Sequence, residues 1–214
     1  MALEELRSQG VLGGTFNPPH LGHLAMARSA RDELGLDRVL LMPAHSLAHK
    51  RAGADTGADP GAEHRLRMCR LLVGEASDAS GISACALEVE RGGDTYTVDT
   101  LEELHSRHPH ARLTLIVGAD TARTLPSWRE PPRLLELADL AVARRTGVSD
   151  QAVLQSVPPP GRVRFLHTPL LEVSSSTVRE RLVRGERVDD LVGGAVAGYI
   201  AEHGLYRARA GALS

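Results

Sequence analysis

Apolar positions along this chain fall into short continuous runs separated by stretches of helical period. Val11 and Leu12 form the first run, which ends in Gly13 and Gly14. Next comes Thr15-Phe16-Asn17-Pro18-Pro19-His20, where adjacent prolines exclude regular structure. From Leu21 the apolar positions Leu21, Leu24, Ala25 and Ala27 recur at i, i+3, i+4 spacing, and Gly35 ends the pattern. Residues 38–42 read as a buried strand stopped by Pro43. Strand, glycine-rich loop, helix, strand is a βαβ unit, and such a unit predicts a parallel sheet.

The rest of the chain repeats this alternation. Residues 45–61 are a loop rich in Gly, Ala and Asp, of a length that usually signals a functional or mobile segment. Leu66, Cys69, Leu72 and Val73 share a face and predict a helix over 63–73, and 82–87 is a strand candidate. A helix starts at Asp94-Thr95, with Thr95 or Thr97 as N-cap, and His108-Pro109 breaks it. Residues 113–118 have the composition of a central parallel strand. Then come a helix over 134–138, a strand over 140–143, a proline turn at 158–161 and a last strand over 163–166. Helices are expected over 173–183 and over 191–200, the second weakened by three glycines. The pattern predicts an α/β fold with a doubly wound parallel sheet. We expect one domain over 1–207, with a small helical C-terminal part from about 174 and a tail over 208–214.

Composition narrows the function. Lys and Arg number 25 against 27 Asp and Glu, a net charge of −2, which gives no global reason to bind nucleic acid or an acidic membrane. No apolar run approaches the roughly 18 residues of a membrane span. The start, Met1-Ala2-Leu3-Glu4-Glu5, lacks the basic and apolar regions of a secretory signal, so cytoplasm is the expected address. Cys69 and Cys85 read as buried small apolar residues. A homo-oligomer is left open. Aromatics make up only 3%, so the core must be aliphatic and Trp128, the sole tryptophan, becomes informative.

The densest chemistry lies in Gly13 to His23. A glycine pair after the first strand lets backbone approach a ligand at the carboxyl edge of the sheet. The next helix aims its free N–H groups at the same place, which suits phosphate. His20 and His23, three residues apart, share a face there. Neither the Rossmann fingerprint nor a Walker A spacing is present. No third ligand signals zinc, and no G-x-S-x-G elbow signals a hydrolase. A second feature, Ser174-Ser175-Ser176-Thr177-Val178-Arg179, combines hydroxyls, a helix N-terminus and a guanidinium that would suit a triphosphate. Asp120 after the central strand and Lys50 in the long loop are further candidates; Trp128 could be a core residue or a stacking platform.

These residues carry a resemblance. His20-Leu21-Gly22-His23 resembles the "HxGH" phosphate motif of the nucleotidylyltransferase superfamily, and Val173 to Arg179 resembles its second motif. The stretches Arg91 to Leu101, Val117 to Asp120, Leu125 to Trp128 and Tyr199 to Tyr206 are similar to the bacterial nicotinate-nucleotide adenylyltransferases within it. The resemblance implies a Rossmann-like nucleotidylyltransferase fold and transfer of AMP from ATP to nicotinate mononucleotide, giving deamido-NAD and pyrophosphate. It implies small-molecule nucleotides as partners, Mg2+ as the ion accompanying ATP, and no protein-held metal.

By the same resemblance, His20, His23, Lys50 and Arg179 would act on the phosphates. Gly13, Gly14, Thr15, Gly118, Asp120, Ser175 and Ser176 would bind ATP. Thr95, Tyr96 and Trp128 would frame the nicotinate ring, with backbone N–H groups near Thr95 and Tyr96 favouring the acid over the amide. The chain lacks two prolines that the family carries in the loop before Lys50, which implies a more mobile loop and a less firmly placed Lys50. Ser176 stands for the usual threonine and keeps the hydroxyl. The alternative acceptors are nicotinamide mononucleotide and phosphopantetheine. A nucleotide-binding module without catalysis is the alternative of another class.

Overall fold

The computed structural model describes residues 6–47, 59–168 and 173–207. Six strands form one sheet: β1 (Ser8–Gly14), β2 (Arg38–Pro43), β4 (Ile82–Ala84), β6 (Arg112–Gly118), β7 (Ala138–Ala143) and β8 (Val163–Leu166). Their spatial order is β4-β2-β1-β6-β7-β8, and every pairing is parallel. The remaining strands, β3 (Ser46–Leu47) and β5 (Asp94–Thr95), pair only with each other. The doubly wound sheet expected from the sequence is therefore present.

Strand periodicity explains the two core layers. Leu12, Leu41, Ile116 and Ala141 point into one layer, while Val11, Leu40, Leu115 and Leu140 point into the other. With both faces covered, the middles of the central strands are nearly all apolar, the buried Thr114 of β6 excepted. The first layer is closed by α1 (Leu21–Leu34), α2 (Ala62–Glu75), α8 (Ser175–Val183), α9 (Asp189–Val192) and α10 (Gly194–Glu202). The second is closed by α3 (Leu87–Arg91), α4 (Thr97–Arg107), α5 (Ala119–Ala122), α6 (Pro131–Leu137) and α7 (Asp150–Ser156). Among the described residues no helix is long and apolar enough to cross a membrane.

Several boundaries differ from expectation, each for a tertiary reason. Asp94 and Thr95 pair with Ser46 and Leu47, so the helix begins only after Tyr96, which is its N-cap in extended conformation. Neither Thr95 nor Thr97 caps it. The 82–87 strand stops at Ala84: Cys85 makes the last ladder bond to β2, its N–H to the Leu41 carbonyl, and Leu87 already opens α3. Ala138 belongs to β7 rather than to the preceding helix, its pairing with Leu113 outweighing its helix propensity. The single terminal helix is two, because Gly193 at φ 83° breaks it. Glu75, the last residue of α2, accepts the N–H groups of Gly194 and Ala195 and so caps α10. Helix α7 was not foreseen. Cys69 is buried, Cys85 only half-buried, and both thiols are free.

One buried charge ties loop to loop. Arg65 on α2 is only 2% exposed. It donates to the carbonyls of Thr15 and Ala44 at 2.7 Å and of His45 at 3.0 Å, while its Nε meets Asp59 at 3.0 Å. Replacement by Met fills the volume but leaves these acceptors without a donor. We expect Arg65→Met to lower unfolding free energy by about 3 kcal/mol, read from urea denaturation. A loss below about 1 kcal/mol would mean that the guanidinium is dispensable to the loops.

Candidate active site

Strand order reverses between β1 and β6: the chain winds to one side through β2 and β4, and to the other through β7 and β8. The helices that follow, α1 and α5, leave on opposite faces and open a crevice at the carboxyl ends of these strands. Gly13 and Gly14 end β1 at this point, and Gly118 ends β6.

The β1–α1 loop is held from several sides. Phe16 takes a positive φ of 52°, a strained conformation for a bulky residue, and buries its ring 4.7 Å from that of His23. The Asn17 side-chain oxygen accepts from the Tyr206 hydroxyl at 2.7 Å, and the Asn17 carbonyl accepts from Arg179 Nη1 at 2.7 Å. The Pro18 carbonyl accepts from the Ser175 hydroxyl at 2.9 Å. The two motifs singled out in the sequence are therefore directly bonded, and the N-termini of α1 and α8 meet beside one loop.

His20 is the N-cap of α1 and His23 lies three positions on. The His20 backbone N–H donates to His23 Nδ1 at 3.1 Å. That bond needs a lone pair on Nδ1, so the His23 proton sits on Nε2, leaving a donor on the far side of the ring. The two imidazoles stack with centroids 3.7 Å apart. Burial drives the His20 pKa down to about 4, helped by the charge of Arg145. Burial and the neighbouring His20 hold His23 well below its ordinary value. Both rings are thus neutral donors at pH 7. A Cβ on Gly22 would sit 3.0 Å from His20 Nδ1 and 3.0 Å from the Val173 side chain, so a larger residue would push on the stack and on the second motif.

On α8, Ser174 is the N-cap and accepts the Thr177 N–H at 3.1 Å. Ser176 accepts from Arg179 Nη2 at 3.3 Å. Asp120, half-exposed on α5, pairs with Arg145 at 3.2 Å. Thr15, on the loop, gives its carbonyl to Arg65.

A second cluster lies on β5, α4 and the turn after α5. The Thr95 hydroxyl is buried and has no partner among the described residues. Trp128, half-buried, donates Nε1–H to Thr124 at 3.0 Å. The Arg129 guanidinium lies 4.8 Å from the Tyr96 ring centre. Below them, buried Glu88 accepts from Thr100 at 2.7 Å, and burial pushes its carboxyl up to about 7. Lys50 lies outside the described residues. Sequence reasoning missed Arg65, Arg145, Arg129 and Glu88, since lone charged residues carry no spacing signal.

No three His, Cys, Asp or Glu side chains gather as a metal cage among the described residues. The site's donors are imidazole, hydroxyl and guanidinium groups, with Asp120 its carboxylate. This set fits phosphate oxygens, and a Mg2+ ion would ride on those phosphates.

The cytidylyltransferase-like family model matches residues 11–181. A protein of Roseiflexus sp. (strain RS-1) described as a probable nicotinate-nucleotide adenylyltransferase is 41% identical over 92% of this chain and 97% of its own. The chain belongs to the nicotinate-nucleotide adenylyltransferase family. Proteins of the same description from Thermomicrobium roseum and Bacillus pumilus are 39% and 34% identical, over 92% and 94% of this chain and 91% and 99% of theirs. Two solved structures of Plasmodium falciparum nicotinic acid mononucleotide adenylyltransferase, one with APC and one with NaAD, superpose with TM-score 0.76 at 20% identity, covering 94% of this chain and 97% of theirs. These share the Rossmann-like nucleotidylyltransferase fold. As a nicotinate-nucleotide adenylyltransferase family member, the chain is a nucleotidyltransferase enzyme.

The histidine pair makes stability depend on pH. His20 has a lower pKa folded than unfolded, so the unfolded chain binds more protons between 6.5 and about 4. Its contribution is full above pH 6.5 and is lost as pH falls through that window, on the order of 3 kcal/mol at the limit. Glu88 acts oppositely, since its raised pKa favours the folded state as pH falls from about 7 towards 4.5. Urea denaturation of wild type and His20→Gln at pH 7.5 and 4.5 cancels Glu88. Wild type should lose more stability than the variant, and equal losses would contradict a buried neutral His20.

Proposed function

We propose that this adenylyltransferase moves AMP from ATP to nicotinate mononucleotide, releasing pyrophosphate and forming deamido-NAD. The observation that carries the reading is the junction of the two phosphate motifs through Ser175 to Pro18 and Arg179 to Asn17. It brings the starts of α1 and α8 and the Arg179 guanidinium to one loop at the switch of strand order, with His23 in the first turn of α1.

The chemistry requires little from the protein except position. A phosphate oxygen of the acceptor attacks the α-phosphorus of ATP in line. The new P–O bond forms as the bond to the bridging oxygen breaks, and pyrophosphate leaves. The attacking oxygen is already anionic at neutral pH, so no general base is required. Catalysis then rests on alignment and on neutralising charge as it moves to the leaving group.

In this reading, His20 and His23 donate to ATP phosphate oxygens, His23 nearest the transferred centre. Gly13, Gly14 and Thr15 bring backbone to the nucleotides. Ser175, Ser176 and Arg179 serve the β- and γ-phosphates, and Lys50 closes over them. Mg2+ arriving with ATP supplies further charge neutralisation. Gly118 and Asp120 contact ribose. Thr95, Tyr96 and Trp128 frame the pyridine ring. Helix α4 starts beside them without a side-chain cap, so its first N–H groups are free to meet the nicotinate carboxylate, which an amide would serve poorly.

Pyrophosphate release tests this directly, with ATP, Mg2+ and nicotinate mononucleotide, nicotinamide mononucleotide or phosphopantetheine in parallel. We expect a strong preference for the nicotinate nucleotide. Preference for another acceptor would overturn the ring assignment, and no release with any would leave a nucleotide-binding module. His23→Ala should lower kcat by roughly 100-fold or more with the melting transition kept; near-normal turnover would remove His23 from the phosphate site.

A further inference from the structure

Arg129 follows Trp128, and its guanidinium lies 4.8 Å from the centre of the Tyr96 ring. Tyr96 is the N-cap of α4, an eleven-residue helix whose start has no side-chain cap. The only acid in the first turn of that helix is Asp99, and Arg129 meets it at 3.5 Å. Its other partner, the neighbouring Glu130, is at 3.4 Å. Both distances are long for a charged pair, and the Arg129 side chain is 50% exposed, so neither acid holds it firmly. Immediately before Tyr96, the Thr95 hydroxyl is buried at 7% residue exposure and lacks a partner among the described residues. A free helix start, an unused buried hydroxyl and a loosely paired guanidinium thus sit together around Tyr96.

We propose that the Arg129 side chain is the charge-selective element of the acceptor site: it pairs with the carboxylate of the nicotinate ring. This rests on the acceptor assignment above and deepens it. A carboxylate placed at the start of α4 meets three compatible features. The helix end favours an anion, Thr95 can donate its hydroxyl proton, and Arg129 can offer two parallel N–H groups. Asp99 also has a defined effect. With no ligand bound it neutralises Arg129 in part and keeps the guanidinium over the Tyr96 face. With a carboxylate bound, Arg129 is shared between two acids, a moderate attraction that still permits product release. Nicotinamide offers no charge to this arrangement, so the side chain discriminates by differential electrostatic contact rather than by shape.

The chain carries its own probe. Trp128 is the sole tryptophan, so its emission reports ligand binding at this site without turnover. Wild type, Arg129→Gln and Arg129→Lys are titrated with nicotinate mononucleotide and with nicotinamide mononucleotide, at low and high salt, and kcat and KM are measured for both. We expect Arg129→Gln to weaken nicotinate nucleotide binding by roughly tenfold, as a rise in Kd and KM with kcat changed far less. The nicotinamide nucleotide should shift by under about threefold, and Arg129→Lys should recover part of the loss. High salt should narrow the difference between wild type and Arg129→Gln. An equal fall for both ligands, or an unchanged ratio between them, would overturn the proposal and leave Arg129 as packing for Tyr96. Wild-type enzyme that adenylates another acceptor, and not the nicotinate nucleotide, would instead overturn the acceptor assignment, and the selective role with it. Because Arg129 is half-exposed, the variants keep the core, and matching thermal melts verify it.

Discussion

Three carbonyl oxygens, those of Thr15, Ala44 and His45, turn inward where β1 and β2 run out, and a single guanidinium meets all of them. Loops that leave a parallel sheet at its carboxyl edge cannot use sheet bonds, so their oxygens need donors from elsewhere. Arg65 resolves the problem from outside both loops, because it stands on the first turn of α2. A buried cation is costly to desolvate, and here four hydrogen bonds, one of them to Asp59, offset that cost. The geometry of the histidine pair descends from this point. With Thr15 held, Phe16 can be kept in its strained conformation, Asn17 can face Arg179 and Tyr206, and α1 can start where it does. The same helix α2 ends at Glu75, which caps α10, so one element anchors both the β1–α1 loop and the C-terminal helices.

The electrostatic character of the crevice is quieter than its residue list suggests. Its two histidines are neutral, Asp120 is matched by Arg145, and Arg179 is engaged with Asn17 and Ser176. Polar hydrogens, rather than net charge, dominate this surface. Such a surface is preorganised: its donors are oriented by bonds on their far sides, as His23 is oriented by the His20 backbone. Little needs to rotate when charge shifts within a bound ligand.

Most of the fold was legible in the sequence because its information is periodic. The continuous apolar runs of β1, β2, β6 and β7 and the helical face of α1 are one-dimensional patterns, and they survive folding unchanged. Motif spacing is equally legible, which is why His20, His23 and Arg179 were found. The misses share a different cause. Asp94 and Thr95 look like a helix start until Ser46 and Leu47 offer them a strand. The last helix looks continuous until Gly193 adopts a positive φ. Arg65 looks like one more surface arginine on an amphipathic helix, and nothing within ten residues of it announces that three loop oxygens await it. Cross-chain partners, not local preferences, decided each of these.

The hydroxyl of Ser175 and the carbonyl of Pro18 lie 157 residues apart along the chain. Almost every strand of the sheet is made between them. During synthesis the first motif therefore leaves the ribosome as an incomplete fragment, and it stays one until nearly the last helix is added. No half-length product can hold the β1–α1 loop as the finished protein does, and a nick that frees α8 would disassemble it again. Activity in this architecture doubles as a report that the whole chain is intact.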